Sequence, residues 1–221
     1  MLERPSGEPR GFEPDVRLEF TVGITPEYAR FLYGYVGGPW RWIDRLHWTR
    51  KEWEDELAVP GTEFGILYGA GLPLGYVQLQ ATRHGGSSHV EIRYFGLAEA
   101  ATGRGLGGRM LEHAVQAAWS LPERHELAPA SRVWVHTCDL DGPAALPNYR
   151  ARGFILCRTD TSEEEVPDAP LGSWASTGGP GAARPLRDRD EGGTQFRRLD
   201  VTEVEGESAE LGSQSLPRPR A

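Results

Sequence analysis

Thr102-Gly103-Arg104-Gly105-Leu106-Gly107-Gly108-Arg109 follows a strand-like run that ends at Leu97 and opens a strongly amphipathic segment. Leu106, Met110, Leu111, Ala114, Val115, Ala118 and Trp119 recur at the spacing of one buried helical face, and Pro122 is expected to stop the run. Glycines at a helix entry cost stability if the turn is merely structural. They are better explained by a ligand that needs close backbone approach. A helix N-terminus, with its unpaired N–H groups and the positive end of its dipole, suits a phosphate.

Three phosphate sites could be built this way. A P-loop needs Lys-Ser or Lys-Thr after its last glycine, whereas this turn continues Gly108-Arg109-Met110, so that reading fails. Gly103, Gly105 and Gly108 satisfy the dinucleotide pattern G-x-G-x-x-G, but the turn begins five residues beyond Leu97. No second strand with an acidic ribose partner follows at the usual distance. The third reading is a pyrophosphate loop for coenzyme A.

The flanking sequence supports the third. Glu91-Ile-Arg-Tyr-Phe-Gly-Leu97, the Gly103 to Gly108 turn and its helix, Arg132-Val-Trp-Val-His-Thr137, and Asn148-Tyr-Arg-Ala-Arg-Gly-Phe154 stand in the order and spacing of strand, phosphate turn, helix, strand and Y-x-x-x-G-F. Together they resemble the GNAT superfamily of acyl-CoA N-acyltransferases, over roughly residues 16 to 160. The resemblance implies an α/β fold: a central mixed, mostly antiparallel sheet flanked by helices, its strands splayed at the acyl-CoA cleft. Acetyl-CoA is the implied co-substrate, held by Thr102, Gly103, Arg104, Gly105, Leu106, Gly107 and Gly108. The backbone of Phe95, Gly96 and Leu97 would pair with the pantetheine arm as an added strand, and Asn148 would contact the cofactor. Gly96 suits close approach of that arm, though a β-bulge there would also explain it. One departure stands out. Thr102 occupies the place where the superfamily's loop usually has Gln or Arg, and Arg104 is the candidate to supply that charge.

Acyl transfer from a thioester to an amine needs an uncharged amine and a proton for the departing thiolate. An alkyl ammonium, with a pKa of about 10.4, is largely protonated at neutral pH. Glu91 is the candidate base, because some members of the superfamily use a glutamate at the matching place, often through water. The alternative is a surface glutamate paired with Arg93 on the same strand face. Tyr149, the tyrosine of Y-x-x-x-G-F, is the candidate acid for the thiolate, against a plain aromatic cap on a helix face. The implied activity is N-acetyl transfer to a primary amine by direct attack in a ternary complex. A non-catalytic acyl-CoA-binding sensor on the same fold is the other reading.

The acceptor should meet the segment that precedes these motifs. Tyr33, Tyr35, Trp40, Trp42, Trp48 and Trp53 cluster there among Arg41, Asp44, Arg45 and His47. Trp40, Trp42 and, on the motif strand, Tyr94 are the candidate walls of the acceptor pocket. Packing of helices on the sheet would explain the tryptophans equally well.

The remaining elements read as alternating units. Strands are expected over 16–23, 63–68, 74–82, 89–97, 132–137 and 154–159, and helices over 26–36 and 49–57, capped by Thr25 and Thr49, with a short helix over 144–152. Residues 1–15 are expected to be a disordered N-terminal segment, 16–160 the N-acetyltransferase domain and 161–221 a disordered acidic Gly/Pro-rich tail.

Charge excludes several partners. The net charge of −8 divides into −3 over residues 1–157 and −5 over 158–221, which gives no electrostatic case for nucleic acid. Six scattered histidines, His136 among them, show no metal spacing, and Cys138 and Cys157 define neither a disulfide framework nor a nucleophile motif. No signal peptide or membrane-span-length apolar stretch is found, so a cytoplasmic protein is expected. Its partner would be a small-molecule or peptide amine; a homodimer, common among proteins of this resemblance, is left open.

Overall fold

The computed structural model describes residues 1–164, 166–178 and 194–201. Seven strands, β1 (Val16–Thr21), β2 (Glu63–Gly69), β3 (Leu72–His84), β4 (Ser87–Leu97), β5 (Ala130–Cys138), β6 (Leu156–Glu164) and β7 (Thr194–Val201), form one sheet in the order β1-β2-β3-β4-β5-β7-β6. Every neighbouring pair is antiparallel except β4 and β5, which run parallel. A parallel pair needs a crossover, and α3 (Leu106–Arg124) supplies it. The fold is thus α/β, with a mixed and mostly antiparallel sheet between helices.

The two faces carry separate cores. On one, Leu111, Ala114, Val115, Ala118 and Leu121 of α3 are buried against Val77, Leu79, Val90, Ile92, Val133 and Val135, and Leu106 and Met110 against Val16 and Leu67. On the other, α1 (Pro26–Gly37) and α2 (Arg50–Leu57) cover Phe64, Ile66 and Tyr76 with Leu32, Tyr33, Val36 and Trp53. The starts of these helices follow their sequence: the Thr25 hydroxyl accepts from the Tyr28 amide with Pro26 at the first position, and Thr49 and Glu52 complete a capping box.

Two features of the sheet shape the site. β4 and β5 pair only from Ser88/Ala130 to Ile92/Val135; beyond that, β5 pairs with β7 while β4 continues to Leu97 against β3 alone. The two strands fork there. β4 also carries an extra residue, because Gln78 and Leu79 of β3 oppose Tyr94 and Ile92, leaving Arg93 as a bulge. A bulge resets the alternation of faces, so Glu91, Arg93 and Tyr94 lie on the α1/α2 side while Ile92 and Phe95 lie on the α3 side.

Several expectations are corrected. Pro122 lies inside α3, which runs to Arg124; so near the C-terminus the missing donor costs one bond, not the helix. Residues 1–15 follow α3 where disorder was expected: Met1 is buried in the core and exchanges backbone hydrogen bonds with Val133, Phe12 stacks on His113, and Arg10 pairs with Glu112. The apolar anchors Met1 and Phe12 hold this segment, since exposed ion pairs contribute little. The expected tail is also structured where described. β6 extends to Glu164, α5 (Gly172–Ser176) packs on α1 with the Ser176 hydroxyl donating to Gly34 O, and β7 fills the gap between β5 and β6. Residues 165, 179–193 and 202–221 of that call lie outside the described residues. No described helix is long and apolar enough to cross a membrane.

Candidate active site

The glycine turn leaves the backbone at the start of α3 open. Gly103 and Gly105 adopt φ of 75° and 73° with open space where a side chain would project, so backbone conformation rather than crowding demands glycine there. Gly105 is the N-cap of α3 and offers no side chain to the first-turn amides. The amides of Leu106, Gly107 and Gly108 therefore face outward with the helix dipole behind them. Leu106 is fully buried and pins the turn, and Gly107 lies against Leu97. Arg104 is exposed with no partner among the described residues, whereas the Thr102 hydroxyl donates back to Glu99 O, 2.8 Å away. Arg152 lies over Gly108, with Glu112 3.5 Å from its Nε.

From this turn an unpaired strand edge leads to the fork. Residues 93–97 of β4 have no partner on the β5 side among the described residues. The edge around Phe95, Gly96 and Leu97 is thus free to accept an added strand, and a pyrophosphate-bearing chain with an extended, amide-containing arm fits the turn and edge together. Gly96 serves packing: a Cβ there would meet Val36 Cγ1 at 2.7 Å. The bulge considered for it is at Arg93 instead. A small cleft of about 180 Å³ opens beyond the fork, lined by Thr137, Cys138, Asp141 and Leu146 among others.

On the α1/α2 side of the fork stands a buried charged network that the sequence did not reveal. Glu91, only 6% exposed, accepts from His136 Nδ1 on one oxygen (3.0 Å) and from Arg93 on the other (3.1 Å). Arg93 Nε in turn donates to Glu56 at 2.9 Å, and the same Glu56 oxygen receives Arg45 at 2.9 Å and Gln78 at 2.8 Å. Arg45 is itself buried, with its guanidinium over the rings of Tyr94 and Trp48 at 4.4 and 4.5 Å. Burial raises the Glu91 pKa, but His136 and Arg93 outweigh it, and the net displacement is below the usual carboxylate range. Glu91 is held ionised.

Tyr149 reaches the fork from the opposite face. It lies on α4 (Ala145–Arg150), is 4% exposed, and its ring packs against Phe95 and Phe154 at centroid distances of 6.2 and 5.9 Å. Burial, with Asp141 and Cys138 nearby, raises its pKa well above the ordinary phenol, so the proton stays on. The preceding Asn148 is half-buried, its side chain without a protein partner among the described residues. Glu91 and Tyr149 are therefore not in contact, lying on opposite faces of the sheet.

The aromatic candidates divide. Trp42 belongs to the core, its ring closing over Gly37 and packing against Tyr33, Tyr76 and Tyr94. Trp40 lies over Gly142, tying the α1–α2 connection to the loop after β5. The Tyr94 hydroxyl donates to Asp44 at 2.6 Å, and Tyr33 donates to the other carboxylate oxygen. Glu56 was missed, and Arg45, Arg93 and His136 were named without their shared network, because only the sheet register and the packing of α2 on it bring these residues together. His136 carried the one available signal, at the end of an alternating strand.

No curated protein sequence is a significant match to this chain. Among solved structures, spermidine N-acetyltransferase from Vibrio cholerae, in complex with CoA and spermine, is similar at TM-score 0.54 and 11% identity, covering 85% of this chain and 95% of that one. An acetyltransferase from Bacillus subtilis in complex with CoA gives TM-score 0.51 and 17% identity over 86% and 99%. The ribosomal-protein-S18-alanine N-acetyltransferase from Escherichia coli gives 0.50 and 12% over 88% and 100%. At these identities the likeness speaks for the fold alone. The family model for the Acetyltransferase (GNAT) family matches residues 28–154, more than half of the chain, which therefore belongs to the GNAT acetyltransferase family.

Proposed function

We propose that this protein transfers the acetyl group of acetyl-CoA to the primary amine of a small molecule or peptide by direct attack. What supports the proposal is the fork, with an ionised carboxylate system on one face of the sheet and a protonated phenol packed against Phe95 on the other, at the end of an edge that starts from an uncapped helix N-terminus. When bound, acetyl-CoA supplies an acyl thioester. The amides of Leu106, Gly107 and Gly108, with Arg104 and Arg152, hold its phosphates, and the free edge at residues 93–97 orients the arm. Glu91 provides the negative charge that draws a proton from the incoming ammonium. Tyr149, protonated across the physiological range, gives its proton to the departing sulfur. Tyr94, with Asp44 behind it, and Trp40 border the acceptor side, while Trp42 supports them from the core.

The full-length protein, given acetyl-CoA and a panel of primary amines (a polyamine, an aminoglycoside, free lysine and peptides with free amino termini), is expected to release thiol with at least one of them and form equimolar acetylated amine. Tyr149→Phe should keep the fold, because the ring contacts are retained, and lower turnover about 100-fold or more. Bound acetyl-CoA with no amine-dependent thiol release would leave a binding protein and contradict the proposal.

A further inference from the structure

Glu91 is poorly placed to touch an amine itself: it is buried, and both its oxygens are engaged. We infer that the atom taking the amine's proton is Nε2 of His136, with Glu91 behind it as the residue that orients the ring. This deepens the acetyl-transfer reading above and rests on it.

Position is the first ground. The last paired residues of β4 and β5 are Ile92 and Val135, so His136 is the first residue of β5 past the apex of the fork. Val133 and Val135 point into the α3-side core, which by alternation turns Trp134 and His136 to the face that carries Glu91, whose register partner is Trp134. Access is the second. The His136 side chain is 31% exposed against 8% for Glu91, and among the described residues Nε2 has no partner.

Chemistry is the third. An ionised carboxylate only accepts, so the 3.0 Å contact puts a proton on Nδ1, and in the neutral imidazole the lone pair is then on Nε2. The groups around the imidazole are Glu91 and Arg93 of β4 and Glu56 of α2 behind Arg93, and Asp200 stands at its register position on β7. Arg93 is shared between Glu56 and Glu91, which fixes the Glu91 carboxylate and prevents it from turning away.

The step balances as follows. The ammonium loses one proton to Nε2, and the resulting imidazolium is countered by Glu91. The freed lone pair forms the C–N bond at the acyl carbon, and the C–S bond breaks with its electron pair leaving on sulfur. Sulfur takes the Tyr149 proton, the phenolate recovers one from the acylated nitrogen, and the imidazolium returns its proton to solvent.

Imidazole nitrogen NMR on the full-length protein without ligand is expected to show His136 as the Nδ1–H tautomer at neutral pH, and E91Q to lose that preference. Then, with acetyl-CoA and an amine selected from the panel, kcat/KM against pH should show an acid limb in the wild type. H136Q should lower kcat about 100-fold or more and abolish that limb, while E91Q lowers the rate less and keeps a limb. Wild-type transfer accompanied by an unchanged limb in H136Q would overturn the assignment and leave the acetyl-transfer reading standing. The absence of transfer in the wild type would remove both. Should H136Q fail to fold, the tautomer and the E91Q limb decide: an Nε2–H tautomer, or loss of the limb in E91Q, would return the role to Glu91.

Discussion

Glu91 shows what one residue discloses before a structure exists and what it does not. Its place on the strand before the glycine turn marked it, and the Arg93 partner offered as the competing explanation is also real. Both hold because Arg93, two residues on, shares the strand face of Glu91. The network behind it, Glu56 and Arg45, comes from elements more than thirty residues upstream and has no local sequence signature. A residue away from the site gives a separate prediction. Burial first, then His84 and Arg132, lower the His89 pKa to about 4, while unfolded histidine titrates near 6.5. A group depressed on folding contributes stability above its unfolded pKa and loses it as pH falls toward the folded one. Thermal denaturation should therefore show stability declining from about pH 6.5 to about 4, with a shallower slope in His89→Gln. An identical slope in the variant would contradict this.

At the level of elements, helix starts were the most readable parts. Thr25-Pro26 and Thr49 with Glu52 announce their caps through side-chain chemistry alone, and the buried face of α3 was legible from its period. The C-terminus of α3 was not, because a proline near the last turn removes a bond the helix hardly needs. The tryptophans of the α1–α2 connection could not be sorted between pocket and core without coordinates. Trp42 closes on Gly37 and three tyrosines, so Trp42→Ala should lower stability by roughly 2 kcal/mol or more, toward the ~3–5 of a fully buried ring, in urea denaturation. A variant with unchanged stability but altered acceptor preference would move Trp42 into the acceptor wall.

At the level of the whole molecule, a domain end read at residue 160 leaves out a short strand that average composition hides. Thr194–Val201 sits in acidic, glycine-rich surroundings, yet β5 beyond the fork needs a partner, and β7 provides it. A chain truncated after residue 160 is expected to show a lower thermal midpoint or to aggregate through the uncovered edge of β5. A midpoint equal to that of the full chain would contradict the seven-stranded sheet. The fork, the free edge of β4 and the uncapped turn of α3 meet only in this complete fold, and under the function proposed above acetyl-CoA binds at the turn and joins them into one site. That claim is tested most directly by calorimetric titration of acetyl-CoA into the full-length protein and into Gly105→Glu. At Gly105, φ is 73° with open space around a Cβ, so the new carboxylate has room to occupy the anion position at the helix N-terminus. Saturable binding by the wild type, weakened about 100-fold or more by the substitution, is the predicted result, since a like charge would replace the phosphate at the unpaired amides. No binding by the wild type, or equal affinity in both proteins, would contradict it.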